Sequence, residues 1–233
     1  MLLPIRDDNP SRRFPVFVTA ILLTNIGVFV YAKMLGPTGF DAFAASFGAV
    51  PFEVARAVDA VTPTPIPLYA TLVTSLFLHG GWLHLGGNML YLWIFGNNIE
   101  DVLGHGRFLI FYLLCGVAAT FAHVVTGPDS TIPLVGASGA IAGVLGAYVA
   151  AYPGARVHTL VFLFLFVQII RIPAVIVLGI WFVGQVLNAS VGGGGVAWYA
   201  HIGGFVVGFL LMRQRLRRIP VVAAGGGESW TVG

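Results

Sequence analysis

Gly136-Ala137-Ser138-Gly139-Ala140 opens an apolar segment that runs to about residue 152. A serine hydroxyl sits there among residues with almost no side chain. Gly139, Gly143 and Gly146 follow at helical spacing, so one face of the expected helix is nearly bare backbone. A second helix can approach such a face closely. Taken alone, Ser138 reads as one more small residue on a tight helix interface. A case for chemistry has to come from other segments.

Composition says where those segments lie. The 233 residues are 58% hydrophobic and only 9% charged. Soluble domains carry about 25% charged residues, so the chain is expected to be an all-α polytopic membrane protein. The net charge of +3 is no sign of nucleic-acid binding. The basic residues lie at the ends of apolar segments, where they orient helices. A lone cysteine, Cys115, rules out an internal disulfide and a cysteine metal cluster.

Six apolar segments are long enough to be spans, at about 20 residues each. They cover residues 14–34, 81–98, 108–125, 138–153, 174–188 and 196–212. Residues 1–13 form a polar, cytoplasmic N-terminal segment. Residues 14–215 form the membrane domain, and 216–233 a small, Gly-rich cytoplasmic tail expected to be disordered. Between the first two spans, Phe40, Phe43 and Phe47, then Val50, Val54 and Val58, recur at helical steps. That pattern suits short amphipathic helices in the membrane interface, or a soluble cap. Residues 157–173 are apolar but bounded by Arg171 and Pro173, and are read as a hydrophobic connection at the cytoplasmic interface. Four glycines at 192–195 are read as a flexible link. With the N-terminus inside, only Lys33 and Arg56 of the twelve basic residues fall outside, which favours this orientation over its inverse.

The polar residues then fall at one depth. Ser138 opens span four, His84 and Asn88 lie in the first two turns of span two, and His201 in those of span six. All three spans start outside, and at ~1.5 Å per residue the four residues sit roughly 5–12 Å from those ends. Polar groups inside a membrane are costly and mark functional sites. Gly204 and Gly208 follow His201 at helical steps, giving a second bare face that could pack on Gly139 and Gly143. That packing would bring an imidazole to a serine hydroxyl. Serine needs such a base to become a nucleophile, and histidine, with an ordinary pKa near ~6.5, can serve at neutral pH. His84 and Asn88, at i and i+4, share a face and can donate hydrogen bonds to an oxyanion. The backbone N–H of Ser138, at a helix start, is a third donor. A histidine bonded to a carbonyl, or a polar pair bridging helices, is the alternative for each alone.

Together these motifs resemble the rhomboid intramembrane serine proteases. Gly136-Ala137-Ser138-Gly139, His84-x-x-x-Asn88 after His79, and Ala200-His201-x-x-Gly204-x-x-x-Gly208 carry the likeness, which extends over residues 14–215. It implies a six-helix rhomboid bundle with an interfacial first loop, Ser138 as nucleophile and His201 as base. It also implies an oxyanion hole from His84, Asn88 and backbone N–H. Trp181 and Phe182 would flank substrate entry. Many members carry an aromatic residue four positions after the serine, stacked on the histidine. Here that position is Ala142, so the resemblance does not say what orients His201. The family's Trp-Arg pair in the first loop is also not evident.

The function expected is cleavage of transmembrane segments of other membrane proteins near the outer leaflet, in a cell membrane with both termini cytoplasmic. No metal or organic cofactor is called for: His79 and His84 are five apart with no glutamate between them, unlike a zinc pair. The alternative is a catalytically inactive relative that binds membrane clients. His79 is read as an interfacial residue, and His105, His123 and His158 show no partner in sequence. Glu100 is expected to pair with Arg107 at the surface, and Gln185 to make a helix-packing hydrogen bond. Neither substrate identity nor oligomeric state is legible.

Overall fold

In a computed structural model, described over residues 2–61, 63–163, 166–191 and 196–218, the segment after Gly136 forms α7 (Ser138–Ala151). Every residue of α7 from Gly139 to Tyr148 is buried, which makes it the central helix of a mostly helical fold. It stops at Tyr152, because Pro153 cannot continue a helix and disfavours helical backbone before it.

Around it lie α1 (Val16–Met34), α5 (Trp82–Leu103), α6 (His105–Thr126), α8 (Ala174–Val191) and α9 (Trp198–Arg217). Each begins within a few residues of an expected span. Three of them, α1, α6 and α8, are long and apolar enough to cross a membrane. The core joins Leu92 and Phe95 of α5, Tyr112 of α6, and Leu145 and Tyr148 of α7. Leu23, Ile110, Leu114, Ile180 and Leu187 point outward from the bundle and are exposed, as side chains facing hydrocarbon would be.

The 35–80 connection contains α2 (Gly36–Phe47), α3 (Pro51–Arg56), a 3₁₀ turn at Leu68–Ala70, α4 (Thr71–Thr74) and a second 3₁₀ turn at Ser75–Phe77. Phe40 of α2 packs edge-on against Phe29 of α1, and the Lys33 ammonium sits 3.7 Å from the Phe40 ring centroid. Arg56 pairs with Asp129 at 2.5 Å, and Ala49 bridges to Leu134, so the connection is tied to the segment preceding Ser138.

The fold is not all-α. Within residues 157–173, expected as an apolar connection, β2 (Arg156–Leu163) and β3 (Phe166–Pro173) pair antiparallel. The N-terminal stretch, expected only as a polar segment, adds β1 (Leu2–Asp7) to give an antiparallel sheet ordered β1-β2-β3. Leu2 pairs with Val161 and Asp7 with Val157, with a bulge between Pro4 and Arg6. These two strands are rich in β-branched residues, Val157, Thr159, Val161, Val167, Ile169, Ile170 and Ile172, which favour extended backbone. Pro4 is tolerated because β1 is an edge strand.

Polar ties fix the sheet to the bundle. Tyr148 donates its hydroxyl hydrogen to Asp7 Oδ2 at 2.6 Å, and Asn98 Nδ2 donates to the same oxygen at 2.7 Å. Burial holds the Asp7 carboxyl above its ordinary pKa. His158, which showed no partner in sequence, lies 2.5 Å from Asp8 Oδ1, and this hydrogen bond holds the Asp8 carboxyl below its ordinary pKa.

Glu100 corrects another expectation. It does not sit on the surface with Arg107 but is buried, and it accepts the backbone N–H groups of Phe17 (3.0 Å) and Val18 (2.8 Å). Those are among the donors that the start of α1 leaves without a helical partner. His105, which also showed no partner in sequence, reaches Glu100 Oε1 at 2.5 Å. The tail from residue 219 and the glycine link at 192–195 lie outside the described residues.

Candidate active site

The N-terminal ends of α5, α7 and α9 open onto a cavity of about 750 Å³. Ser138 is the first residue of α7 and His201 lies in the first turn of α9. His201 Nε2 is 2.8 Å from Ser138 Oγ.

Backbone contact between α7 and α9 creates that distance. A Cβ added to Gly204 would run into the Gly139 carbonyl oxygen, and one added to Gly208 would run into the Gly143 carbonyl oxygen. The pairing of Gly139 and Gly143 with Gly204 and Gly208 is therefore close, but it is lopsided. A Cβ on Gly139 would meet Ala119 Cβ at 2.6 Å, and one on Gly143 would meet Cys115 Cβ at 2.5 Å. Gly139 and Gly143 turn their missing side chains to α6 and their carbonyls to α9, whereas a Cβ on Gly146 would run into the Phe205 carbonyl of α9. One helix thus has bare contacts on two sides.

His84 and Asn88 face the same cavity from α5. The Gly80 N–H donates to His84 Nδ1 at 3.4 Å. With Nδ1 accepting, the hydrogen resides on Nε2, and that nitrogen lies beside Gly136. Gly136 has φ +132°, and a Cβ there would stand 2.8 Å from His84 Nε2. Glycine is thus required twice, for its backbone angle and for the room it leaves the ring. The Gly136 N–H donates to the Ser75 carbonyl at 2.9 Å and anchors the turn that delivers Ser138. Asn88 Nδ2 is buried and has no hydrogen-bond partner among the described residues. A buried donor left open costs about 1–3 kcal/mol, a cost that an acceptor entering the cavity would relieve.

Trp181 of α8 also lines the cavity, its ring centroid 5.8 Å from that of His201 at 35°. Phe182, the next residue, stacks on Phe205 of α9 at 4.5 Å. His79 is buried, its ring 5.0 Å from that of His84. His123 lines the cavity from α6.

Gln185, expected only to make a helix-packing hydrogen bond, makes one at the site itself. Its Oε1 lies 2.6 Å from His201 Nδ1, and its Nε2 donates to the Trp181 carbonyl at 3.2 Å. The available signal was an amide in an otherwise apolar stretch of α8, one helical turn after Trp181.

This arrangement offers a hydroxyl, a base in contact with it and donors converging on one space. Those are the parts that acyl transfer requires. Comparison with known proteins points the same way. Residues 68–218 match the family described as Rhomboid domain. The chain is 46% identical over 76 residues to Rhomboid protease GluP of Bacillus subtilis, covering 33% of this chain and 14% of that protein. It is 30% identical over 178 residues to Rhomboid protein 1, mitochondrial, of Saccharomyces cerevisiae, covering 66% and 46%. It is 39% identical over 77 residues to Putative rhomboid protease YdcA of Bacillus subtilis, covering 33% and 38%. The chain spans less than half the length of each of these relatives.

Proposed function

The chain belongs to the rhomboid family, and from that premise we propose that it is an intramembrane serine endopeptidase acting on transmembrane segments of other proteins. The observation that carries the reading is the 2.8 Å contact between Ser138 Oγ and His201 Nε2 at the wall of a cavity that His84 and Asn88 share.

In this reading α1, α5, α6, α7, α8 and α9 are six spans, and α2 and α3 lie in the outer interface. The β-sheet and both termini face the cytoplasm of a cell membrane, in line with the basic residues at those ends. The cavity then opens just below the outer surface, where water can reach it. A substrate helix enters laterally, with Trp181 and Phe182 at its path, and unwinds to present an extended peptide.

Ser138 passes its proton to His201 Nε2 as Oγ attacks the scissile carbonyl carbon. The carbonyl oxygen becomes an oxyanion facing His84 Nε2–H, Asn88 Nδ2 and the Ser138 N–H. His201 then protonates the departing amine and the C–N bond breaks, leaving an acyl ester on Ser138. Water, deprotonated by His201, attacks that ester, releases the carboxylic acid and restores the serine. No step calls for a metal or organic cofactor.

A fluorophosphonate probe and a labelled transmembrane peptide in proteoliposomes test the proposal. Wild type is expected to label at Ser138 and cleave the peptide, and Ser138→Ala and His201→Ala to do neither while folding normally. A folded wild type that fails to label, yet retains the peptide, would make the chain an inactive binder of membrane clients.

A further inference from the structure

We infer that Gln185 is a positioning residue for the proposed reaction: it holds His201 in the tautomer that can accept the serine proton. The inference rests on the protease reading above.

The argument starts from what each atom can do. A backbone carbonyl only accepts hydrogen bonds, so the Gln185 atom facing the Trp181 carbonyl at 3.2 Å must be the amide nitrogen. The other amide atom, which faces His201 at 2.6 Å, is then the oxygen. An amide oxygen also only accepts, so His201 Nδ1 must carry a hydrogen. In a neutral imidazole the second nitrogen is then unprotonated, with its lone pair directed to Ser138 Oγ at 2.8 Å. The bond from Trp181 orients Gln185, Gln185 orients His201, and His201 is left with its basic nitrogen on the serine. Had the amide been reversed, His201 Nε2 would bear the hydrogen and could not take the serine proton.

The same bond answers what position 142 leaves open. Ala142 is too short to stack on the histidine ring. The ring is held from α8 instead, by Gln185 at its Nδ1 edge and by Trp181 alongside it. Both groups come from one helix, and Gln185 is buried where half of α8 is exposed. The tautomer is therefore set only while α8 lies against α9. A displacement of α8 that admits substrate must be reversed before the serine can attack.

The test separates this role from simple packing. Gln185→Leu removes the acceptor and is expected to lower kcat about 10- to 100-fold, with KM within about twofold, as loss of an outer partner does for other functional histidines. Gln185→Glu keeps an oxygen on Nδ1 in either protonation state and is expected to stay within about threefold of wild-type kcat. The ¹⁵N shifts of His201 in detergent-solubilised wild type, assigned against His201→Ala, should show hydrogen on Nδ1 and none on Nε2. That measurement decides the matter even if Gln185→Leu fails to fold. Hydrogen on Nε2, or full kcat in Gln185→Leu, overturns the assignment of Gln185 while leaving a labelled, Ser138-dependent wild type intact. A wild type that never labels removes both readings.

Discussion

The α-carbon of Gly204 lies against the backbone carbonyl of Gly139, in a contact that leaves no room for a methyl group. Everything about the distance from Ser138 to His201 follows from it, because α7 and α9 can lie no closer than their backbones allow. A single carbon at this place would push the helices apart along their whole contact.

Gly204→Ala is therefore expected to destabilise the protein by about 1–3 kcal/mol, the usual cost of overpacking. It should also abolish labelling of Ser138, since the imidazole moves with α9. Gly184→Ala on α8, where an added Cβ meets nothing within 4 Å, is the control and should be near neutral. Thermal melts in detergent and probe labelling measure both. Equal behaviour of the two variants would refute the packing argument.

Glu100 supplies a second prediction, at the opposite end of the bundle. It closes two N–H groups at the start of α1 from inside the core. Glu100→Ala leaves them open and should cost about 1–3 kcal/mol per buried donor. Glu100→Gln keeps one acceptor and should fall between wild type and alanine. A melt that ranks glutamine below alanine would mean that the carboxylate does not act as a cap.

The sheet should respond to pH through two neighbouring aspartates with opposite signs. Asp8 has its pKa lowered, first by the hydrogen bond to His158 and then by the charges of His158, Arg171 and Arg6. Its contribution is present above the ordinary value of 3.8 and is lost as pH falls through the lower folded value. Asp7 has its pKa raised, mainly by burial, so its contribution is full below 3.8 and is lost as pH rises through the higher folded value. The carboxylate form of Asp7 thus favours docking of β1 less than the protonated form does. Asp7→Asn can still accept from Tyr148 and Asn98, and should slow amide exchange in β1 and β2 at pH 7 relative to wild type. Faster exchange would show that the carboxylate charge favours the docked strand.

How far the sequence reveals these features depends on the range of the interactions. The starts of α1, α5, α6, α7, α8 and α9 are legible because apolar length, turns and proline stops act locally. The glycine steps around Ser138 and His201 are legible as bare faces, though not the fact that α7 spends one of its faces on α6. The β2–β3 pair escapes because its apolar run suits several conformations. Its strands pair with each other and, through β2, with β1, about 150 residues away in the chain. For Gln185 the helix-packing hydrogen bond is legible but its partner is not, for a similar reason. One amide in an apolar helix has many possible partners, and the one it takes lies across the α8–α9 contact.

Asn88 makes the sharpest prediction about the proposed chemistry. Its buried Nδ2 has no partner among the described residues, so the resting site holds an open donor that an oxyanion would fill. Such a donor gains most when charge develops on the substrate oxygen, and removing one costs about 10²–10³ in kcat. Asn88→Ala should therefore lower kcat about 100-fold and change KM little, and it should not destabilise the fold, because an unsatisfied group has been removed. Gly136→Ala should produce a similar fall in kcat by another route, since its Cβ would displace the His84 ring from its place beside Ser138. In Gly136→Ala the melting temperature should fall as well, because φ +132° is strained for any residue with a side chain. Steady-state cleavage of a transmembrane peptide, read beside thermal melts, separates the two. If Asn88→Ala raised KM and spared kcat, Asn88 would bind substrate in its ground state and the oxyanion role would be lost.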